Sequence, residues 1–304
     1  MMLKDKVAIV TGAGRGIGRG IALLMAEHGA KIVVCDYGVS VGGAEPSSEP
    51  AESVVKEIKD KGGEAIAIAD DIGSFEAGRR IVQTTLDTFG RLDCLVQVAG
   101  ILRERMIFNM SEEEWDDVIR VHLKGHFNLM RFATGIMRQQ GYGRIITFTS
   151  SAGLEGTVGQ PNYSAAKAGI VGLTYSTAQA MAKYNVTVNC IAPGAATRMT
   201  ERLAGPVAAA GKSGSGGPED IAPLVVFLCS DQAGHVTGQV YSAQGTKIAL
   251  WSHPEEIKTV YNYERWTPEG IAEIFETQIG QHELARFKRL NIPLPGQAQS
   301  EVGS

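Results

Sequence analysis

No uncharged apolar run in the 304-residue chain reaches the roughly 18 residues a membrane helix needs, so no bilayer span is expected. Cysteine is scarce. The four residues stand at 35, 94, 190 and 229, without a Cys-x-x-Cys pair. Cys35, Cys94 and Cys190 lie in apolar strand-like runs and read as small buried hydrophobes, which fits a reducing cytoplasm better than a disulfide framework. Basic blocks are also missing, and with a net charge of −4 a nucleic-acid partner is not expected. Lys4-Asp5-Lys6 leads straight into the first strand-like run, leaving no room for a signal peptide. The closing Glu301-Val302-Gly303-Ser304 is not a peroxisomal Ser-Lys-Leu address. No repeat of solenoid length is visible. What remains is ordinary globular composition, 44% hydrophobic and 20% charged, long enough to bury one large core.

Strand-like runs alternate with helical patterns. The strand candidates are 6–11, 31–36, 64–69, 92–97, 144–149, 186–191 and 239–243, mostly continuous apolar runs. Such runs suit strands buried on both faces of a parallel sheet. Helical patterns fall at about 16–28, 51–61, 74–89, 112–139, 162–184 and 218–230, and Ser111 to Glu114 reads as a capping box. The alternation predicts an α/β fold: a doubly wound, Rossmann-type, parallel seven-stranded sheet over residues 1–250, with ligands at the carboxyl ends of the strands. Residues 251–292 read as a helical C-terminal extension opened by Thr267-Pro268 and packed on the core, on a partner or across the substrate cleft, and 293–304 as a mobile tail. Gly38 to Pro50 reads as a loop, and Gly205 to Pro218 as a hinged lid.

Chemistry concentrates in three places. Tyr163 and Lys167 stand i, i+4, so phenol and ammonium can share a helix face, and Ser150 closes an apolar run before them. To act as a base at neutral pH, the phenol's pKa must fall from near 10 to about 7, about 4 kcal/mol of differential interaction. The lysine is expected to supply that pull, giving a trio suited to proton transfer at an alcohol or ketone. Near the N-terminus, an apolar run enters Thr11-Gly12-Ala13-Gly14-Arg15-Gly16-Ile17-Gly18, followed by a helical stripe. Glycines here let backbone N–H groups approach a pyrophosphate at a helix N-terminus. Asp36, ending the next strand-like run, can accept the hydrogen bonds of an adenosine ribose and repel a 2′-phosphate. NAD is therefore favoured over NADP, although Arg15 could attract a phosphate. Asp70-Asp71-Ile72 could set a carboxylate near the adenine amino group, or simply form a turn.

Over residues 3–250 the chain resembles the short-chain dehydrogenase/reductase family. The glycine loop matches the family's cofactor loop; Ser150, Tyr163 and Lys167 match its catalytic trio; Pro193-Gly194 with Thr197 matches the segment that holds the nicotinamide carboxamide. The resemblance implies a tyrosine that exchanges the proton, a lysine that lowers its pKa and binds the nicotinamide ribose, and a serine that orients the substrate oxygen. It also implies NAD contacts from Gly12, Arg15, Gly16, Ile17, Gly18, Asp36, Asp71, Ile72, Ala99, Gly100 and Tyr163. Three stretches, Ala99–Arg105, Val121–Phe127 and Ala192–Thr200, together with a long segment from Tyr37 to Pro50, resemble a subgroup: the 3-hydroxyacyl-CoA dehydrogenase domain of multifunctional enzyme type 2, whose animal member is also called a 17β-hydroxysteroid dehydrogenase. That subgroup implies an acyl-CoA or steroid substrate. A homodimer or homotetramer is also implied, formed through the helix around Val225–Leu228 and the final strand.

Two positions depart from the family pattern. Gln97-Val98-Ala99-Gly100 stands where the family has Asn-Asn-Ala-Gly, so an asparagine that ties strands together is missing. His122 stands where the family has the asparagine of a helix kink, whose carbonyl holds a water linking the lysine to solvent; the His122 carbonyl is expected to serve alike. His122 and His126 are spaced i, i+4, but no carboxylate lies between them and no third ligand is near, so no metal is expected; His122 reads as packed and His126 as partly exposed. Arg103 and Arg105 could meet a CoA phosphate or simply form a solvated loop. The alternatives to an NAD-dependent alcohol dehydrogenase are an NADPH-dependent 3-oxoacyl-carrier-protein reductase, disfavoured by Asp36, and a non-catalytic NAD-binding regulator, disfavoured by the intact trio.

Overall fold

Continuous apolar runs become buried parallel strands. The computed structural model describes residues 1–39, 46–194, 216–290 and 292. Strands β1 (Val7–Thr11), β2 (Lys31–Cys35), β3 (Ala65–Ile68), β4 (Cys94–Gln97), β5 (Gly143–Phe148), β6 (Val186–Pro193) and β7 (Val240–Gln244) correspond to the seven expected runs and pair in parallel. An eighth strand, β8 (Lys247–Leu250), was not expected; it pairs antiparallel with β7, giving the order β3-β2-β1-β4-β5-β6-β7-β8. A two-residue turn, Gly245-Thr246, makes the hairpin, with Gly245 at φ +53°. Glycine followed by any residue is a hairpin signal, and its left-handed φ is cheap only for glycine.

Alternate strand residues feed two helical layers. On one face Ala8, Val10, Ile32 and Val34 pack with α1 (Gly16–Glu27), α2 (Glu49–Asp60) and α8 (Ala222–Cys229). On the other, Ile9, Val33, Leu95, Ile145 and Val188 pack with α3 (Phe75–Phe89), α5 (Gly125–Gln140) and α7 (Pro161–Met181). The order reverses between β1 and β4, which opens a crevice at their carboxyl ends.

The single helix expected over 112–139 is three pieces: α4 (Glu112–Val118), a π-helical segment Ile119–Lys124, and α5. The capping box of α4 is present, with Ser111 and Glu114 bonding each other's backbone N–H. A short α6 (Ser151–Glu155) precedes α7.

The chain divides into two compact units, Met1–Trp251 and Ser252–Ser304. In the second, α9 (Pro268–Ile274) starts with Thr267 accepting from Gly270 N at 3.1 Å, as its sequence suggested, and α10 (Ala285–Leu290) comes after it. Among the described residues no helix is long and apolar enough to cross a membrane. The expected tail and nearly all of the expected lid, together with Thr197, lie outside the described residues.

Candidate functional site

The glycine loop joins β1 to α1 and has no room for a side chain at Gly12, Gly14 or Gly18. A Cβ on Gly12, whose φ is +63°, would stand 2.8 Å from the Ala99 Cα; one on Gly18 would collide with the Gly12 carbonyl. Gly12 and Gly18 are therefore fixed by close approach of backbone to backbone, which leaves a bare cradle at the α1 N-terminus. Arg15 occupies the N-cap position, exposed and extended, and no side chain among the described residues caps the helix. Open N–H groups and the helix dipole suit an anion such as a pyrophosphate.

Asp36, at the end of β2, braces this cradle. One carboxylate oxygen accepts from Gly14 N and the other from Gly38 N, both at 2.7 Å. Each oxygen keeps a further lone pair for a ribose hydroxyl. The missing strand-tying asparagine has a substitute the sequence did not reveal: Thr11 Oγ1 accepts from both Val98 N (3.1 Å) and Ala99 N (3.2 Å), joining the ends of β1 and β4. Gln97 itself is fully buried, and its amide has no protein partner among the described residues. The cradle, the open helix end and the braced carboxylate fit a dinucleotide.

Ser150, Tyr163 and Lys167 meet at the carboxyl end of β5. Ser150 is the N-cap of α6, accepting from Ala152 N at 3.2 Å, so its hydroxyl proton remains free for the phenol oxygen of Tyr163. Burial pushes the Tyr163 phenol up to about 12, and the hydrogen bond with Ser150 pulls against that. Part of the tyrosine stays open to solvent, which limits how firmly burial alone holds the proton. The Lys167 ammonium lies 5.5 Å from the Tyr163 ring centre but donates to Phe148 O at 2.7 Å. Burial brings its pKa down to about 8.

The pull expected from the lysine is therefore opposed by burial, which disfavours both the phenolate and the ammonium. Spacing placed the two side chains correctly, but it revealed neither the burial that works against both charges nor the carbonyl that holds the ammonium.

Of the two histidines, His122 is packed and hydrogen-bonded as expected, whereas His126 is buried where partial exposure was expected. His126 Nδ1 contacts the His122 carbonyl at 2.7 Å, so the carbonyl expected to hold a water is engaged by a ring. His122 Nε2 lies 2.8 Å from Ile101 O and 3.1 Å from Ile101 N, donating to the first in one tautomer or accepting from the second in the other, and the ring stands edge-on to Tyr163 at 5.1 Å between centres. Desolvation first, then the Lys167 charge, holds both rings neutral, His126 down to about 3. Gly100 is glycine for this reason: a Cβ there would run into the His122 ring.

At β3, Asp71 accepts from Gly73 N (2.8 Å) and from Arg120 Nη1 (2.6 Å), and Asp70 pairs with Arg80 at 2.8 Å. Arg120 was not anticipated; 49 residues separate it from Asp71 and only the fold brings them together. Ile72 is buried, and its carbonyl accepts from Asn128 Nδ2 at 2.8 Å. Pro193 ends β6; Gly194 N donates to Ala243 O at 2.9 Å. Gly12, Asp36, Asp71, Ala99, Gly100, Ser150, Pro193 and Gly194 thus all follow or end the carboxyl ends of strands, at one edge of the sheet.

Comparison with known proteins agrees with this geometry. The chain matches the short chain dehydrogenase family over residues 6–205. It is 42% identical to the hydroxyacyl-CoA dehydrogenase ChsB1 of Mycobacterium tuberculosis, covering 83% of this chain and 81% of that one. It is 47% identical over 227 residues to the peroxisomal multifunctional enzyme type 2 of Mus musculus, 74% of this chain but 30% of the mouse protein, so it spans less than a third of that relative. To the 3-oxoacyl-[acyl-carrier-protein] reductase of Synechocystis it is 42% identical, over 81% of this chain and 98% of that one. The chain belongs to the short-chain dehydrogenase/reductase family, oxidoreductases that interconvert alcohols and ketones with a nicotinamide cofactor.

Proposed function

We propose that this protein is an NAD-dependent dehydrogenase interconverting a secondary alcohol and a ketone, with a 3-hydroxyacyl-CoA or a steroid alcohol as substrate. The observation that carries the reaction is the grouping of Ser150, Tyr163 and Lys167 at the carboxyl end of β5, with the Lys167 ammonium 5.5 Å from the Tyr163 ring centre and the Ser150 hydroxyl drawing the phenol's pKa down. Bound at the glycine cradle, a nicotinamide supplies hydride transfer to or from the carbinol carbon. The chain's own residues manage the proton. Ser150 Oγ orients the substrate oxygen, and Tyr163 Oη takes the hydroxyl proton in oxidation or returns it in reduction. The Lys167 ammonium adds positive potential where the phenolate forms, and His122 walls the ring edge-on.

The cofactor choice rests on Asp36. A carboxylate at the end of the second strand would repel a 2′-phosphate, and both of its oxygens brace the loop. Replacing Asp36 with alanine is expected to weaken NAD binding about tenfold or more, because charge-assisted hydrogen bonds contribute about 1.5–3 kcal/mol each. NADP binding should suffer less, since repulsion is removed along with the brace; calorimetric titration of both dinucleotides reads the difference.

The preference for acyl-CoA and steroid rests on the similarity to ChsB1 and the multifunctional enzyme. A panel of acyl-CoA, steroid and simple alcohols, assayed with NAD and with NADP at the absorbance of the reduced nicotinamide, tests the whole reading. NAD-linked oxidation of a 3-hydroxyacyl-CoA or a steroid supports it. Faster NADPH-linked reduction of an acyl-carrier-protein thioester would replace it with the reductase reading. Four buried free thiols suit work in the cytoplasm. A homodimer or homotetramer is part of the same proposal: β8 is a sheet edge with Ile248 and Leu250 each 61% exposed, which a second copy would cover.

A further inference from the structure

α5 opens on a fully buried histidine, His126, in a helix whose inner face also carries Leu129, Met130 and Ala133. A leucine at this position would fill the space without desolvating a polar ring. The imidazole is explained instead by what its two nitrogens hold.

Nδ1 lies 2.7 Å from the His122 carbonyl, which can only accept. Nε2 lies 3.5 Å from Phe148 N, which can only donate. The backbone of His122 and of Gln97 favours a charged ring, but burial, and after it the Lys167 charge, outweighs them and keeps the ring neutral. A neutral imidazole carries one proton, and the short contact to a carbonyl fixes it on Nδ1. The bare Nε2 is left to accept from Phe148.

Both partners lead to the reacting groups. Phe148 O accepts from Lys167 Nζ at 2.7 Å. The His122 ring stands edge-on to Tyr163, 5.1 Å between centres. The Lys167 ammonium, 5.5 Å from the Tyr163 ring centre, closes the circuit. Within it, α7 carries Tyr163 and Lys167, β5 carries Phe148, and the π turn carries His122. Of these residues, only His126 bonds both the π turn and the end of β5.

Building on the dehydrogenase reading, we propose that His126 is a positioning residue: its ring fastens the π turn to the end of β5 and so fixes where the Lys167 ammonium stands relative to the Tyr163 phenol. Fully buried, it acts through two backbone contacts. It therefore governs how well the ammonium meets the phenol rather than how tightly ligands bind. The titratable groups that bear on the ammonium are Tyr163 on its own helix, His122 on the π turn, His126 on α5 and Cys190 on β6.

The test compares His126→Leu, His126→Asn and His126→Gln with the native protein. Leucine keeps the volume and loses both contacts. The asparagine amide reaches the place of Nδ1 and donates to the His122 carbonyl, whereas the glutamine amide reaches the place of Nε2. On an alcohol that the native protein oxidises, leucine and glutamine should lower kcat about tenfold, the scale of one buried hydrogen bond, and asparagine should recover most of that loss. KM for the alcohol and for the dinucleotide should not move. A ring that serves packing alone would leave the leucine variant nearest to native; that order, equal rates in all three variants, or a loss carried by KM overturns the proposal.

NMR chemical shifts of the lysine ε-carbons, followed against pH, read the same contact without any substrate. The Lys167 midpoint, about 8 in the native protein, should fall by about half a pH unit or more with leucine or glutamine and hold with asparagine, because a loosened Phe148 carbonyl favours the charged amine less. If no alcohol is turned over yet the midpoint moves in this way, His126 keeps its role and the dehydrogenase reading falls. A midpoint unmoved in every variant removes the inference whatever the activity. Should the leucine variant fail to fold, asparagine and glutamine decide between them, and equal midpoints in those two overturn the proposal.

Discussion

Replacing Tyr163 with phenylalanine is expected to cut turnover by about a hundredfold to ten-thousandfold, the usual contribution of a positioned proton donor or acceptor. The same variant should bind the dinucleotide as the native protein does. The substitution is nearly isosteric. It keeps the ring's edge-on contact with His122, at 5.1 Å between centres, and its packing in the cluster with Ile101, Val118, Val121 and Ala166. It removes only Oη and the bond to Ser150. Since the phenol of the free protein sits near 12 and the cradle of Gly12, Gly18 and Asp36 is built without it, fold and cofactor affinity have no reason to follow activity down. Initial rates at the reduced-nicotinamide band, alongside calorimetric titration of NAD, separate the two effects. A variant that keeps a tenth or more of native turnover would mean that proton transfer goes through another group, and Ser150 would be the next to test.

The legible parts of this protein are those set by local pattern. Seven strands were readable because strands buried on both faces are largely apolar, as Val7–Val10 and Ile32–Cys35 are throughout. The glycine loop and Asp36 were readable because close backbone approach and a strand-end carboxylate leave a local trace. β8 was not: only four residues long, it leaves Ile248 and Leu250 exposed, so neither a long run nor a clean alternation marks it, and its one signal was Gly245-Thr246. The break in 112–139 was invisible to periodicity, because the π segment Ile119–Lys124 adds a residue to its turns without changing the residue types. That extra residue re-phases the helix beyond it, and His126, read as partly exposed, is buried against the His122 carbonyl instead. The Arg120–Asp71 pair and the Thr11 tie depend on residues 49 and 87 or more positions apart, which no single-sequence pattern joins. The trio lies between these extremes. Spacing placed Tyr163 beside Lys167, but the energy of each charge depends on burial and on Phe148 O, both products of the tertiary fold.

Lys167 is where that burial has its largest measurable consequence. Replacing it with methionine should abolish most turnover and yet make the protein more stable at neutral pH. Burial draws the folded-state pKa from 10.5 to about 8. Between those values the unfolded chain binds more protons than the folded one, so native stability rises with pH across that window. Above about 10.5 the lysine is neutral in both states and costs nothing; below about 8 the full cost of a buried ammonium applies, about 3 kcal/mol. Methionine fills a similar volume with no charge, and its loss of the bond to Phe148 O costs about 1 kcal/mol. A net gain of about 2 kcal/mol at pH 7 corresponds to a rise in melting temperature of about 5 °C for a domain of this size. The advantage over native protein should shrink from pH 8 upward and be gone, or reversed by the lost hydrogen bond, past pH 10.5. Scanning calorimetry of both proteins from pH 7 to about 11 reads the crossover. A methionine variant less stable than native at pH 7 would mean that the ammonium is well solvated at its site, and the opposition between stability and activity proposed for this residue would be wrong.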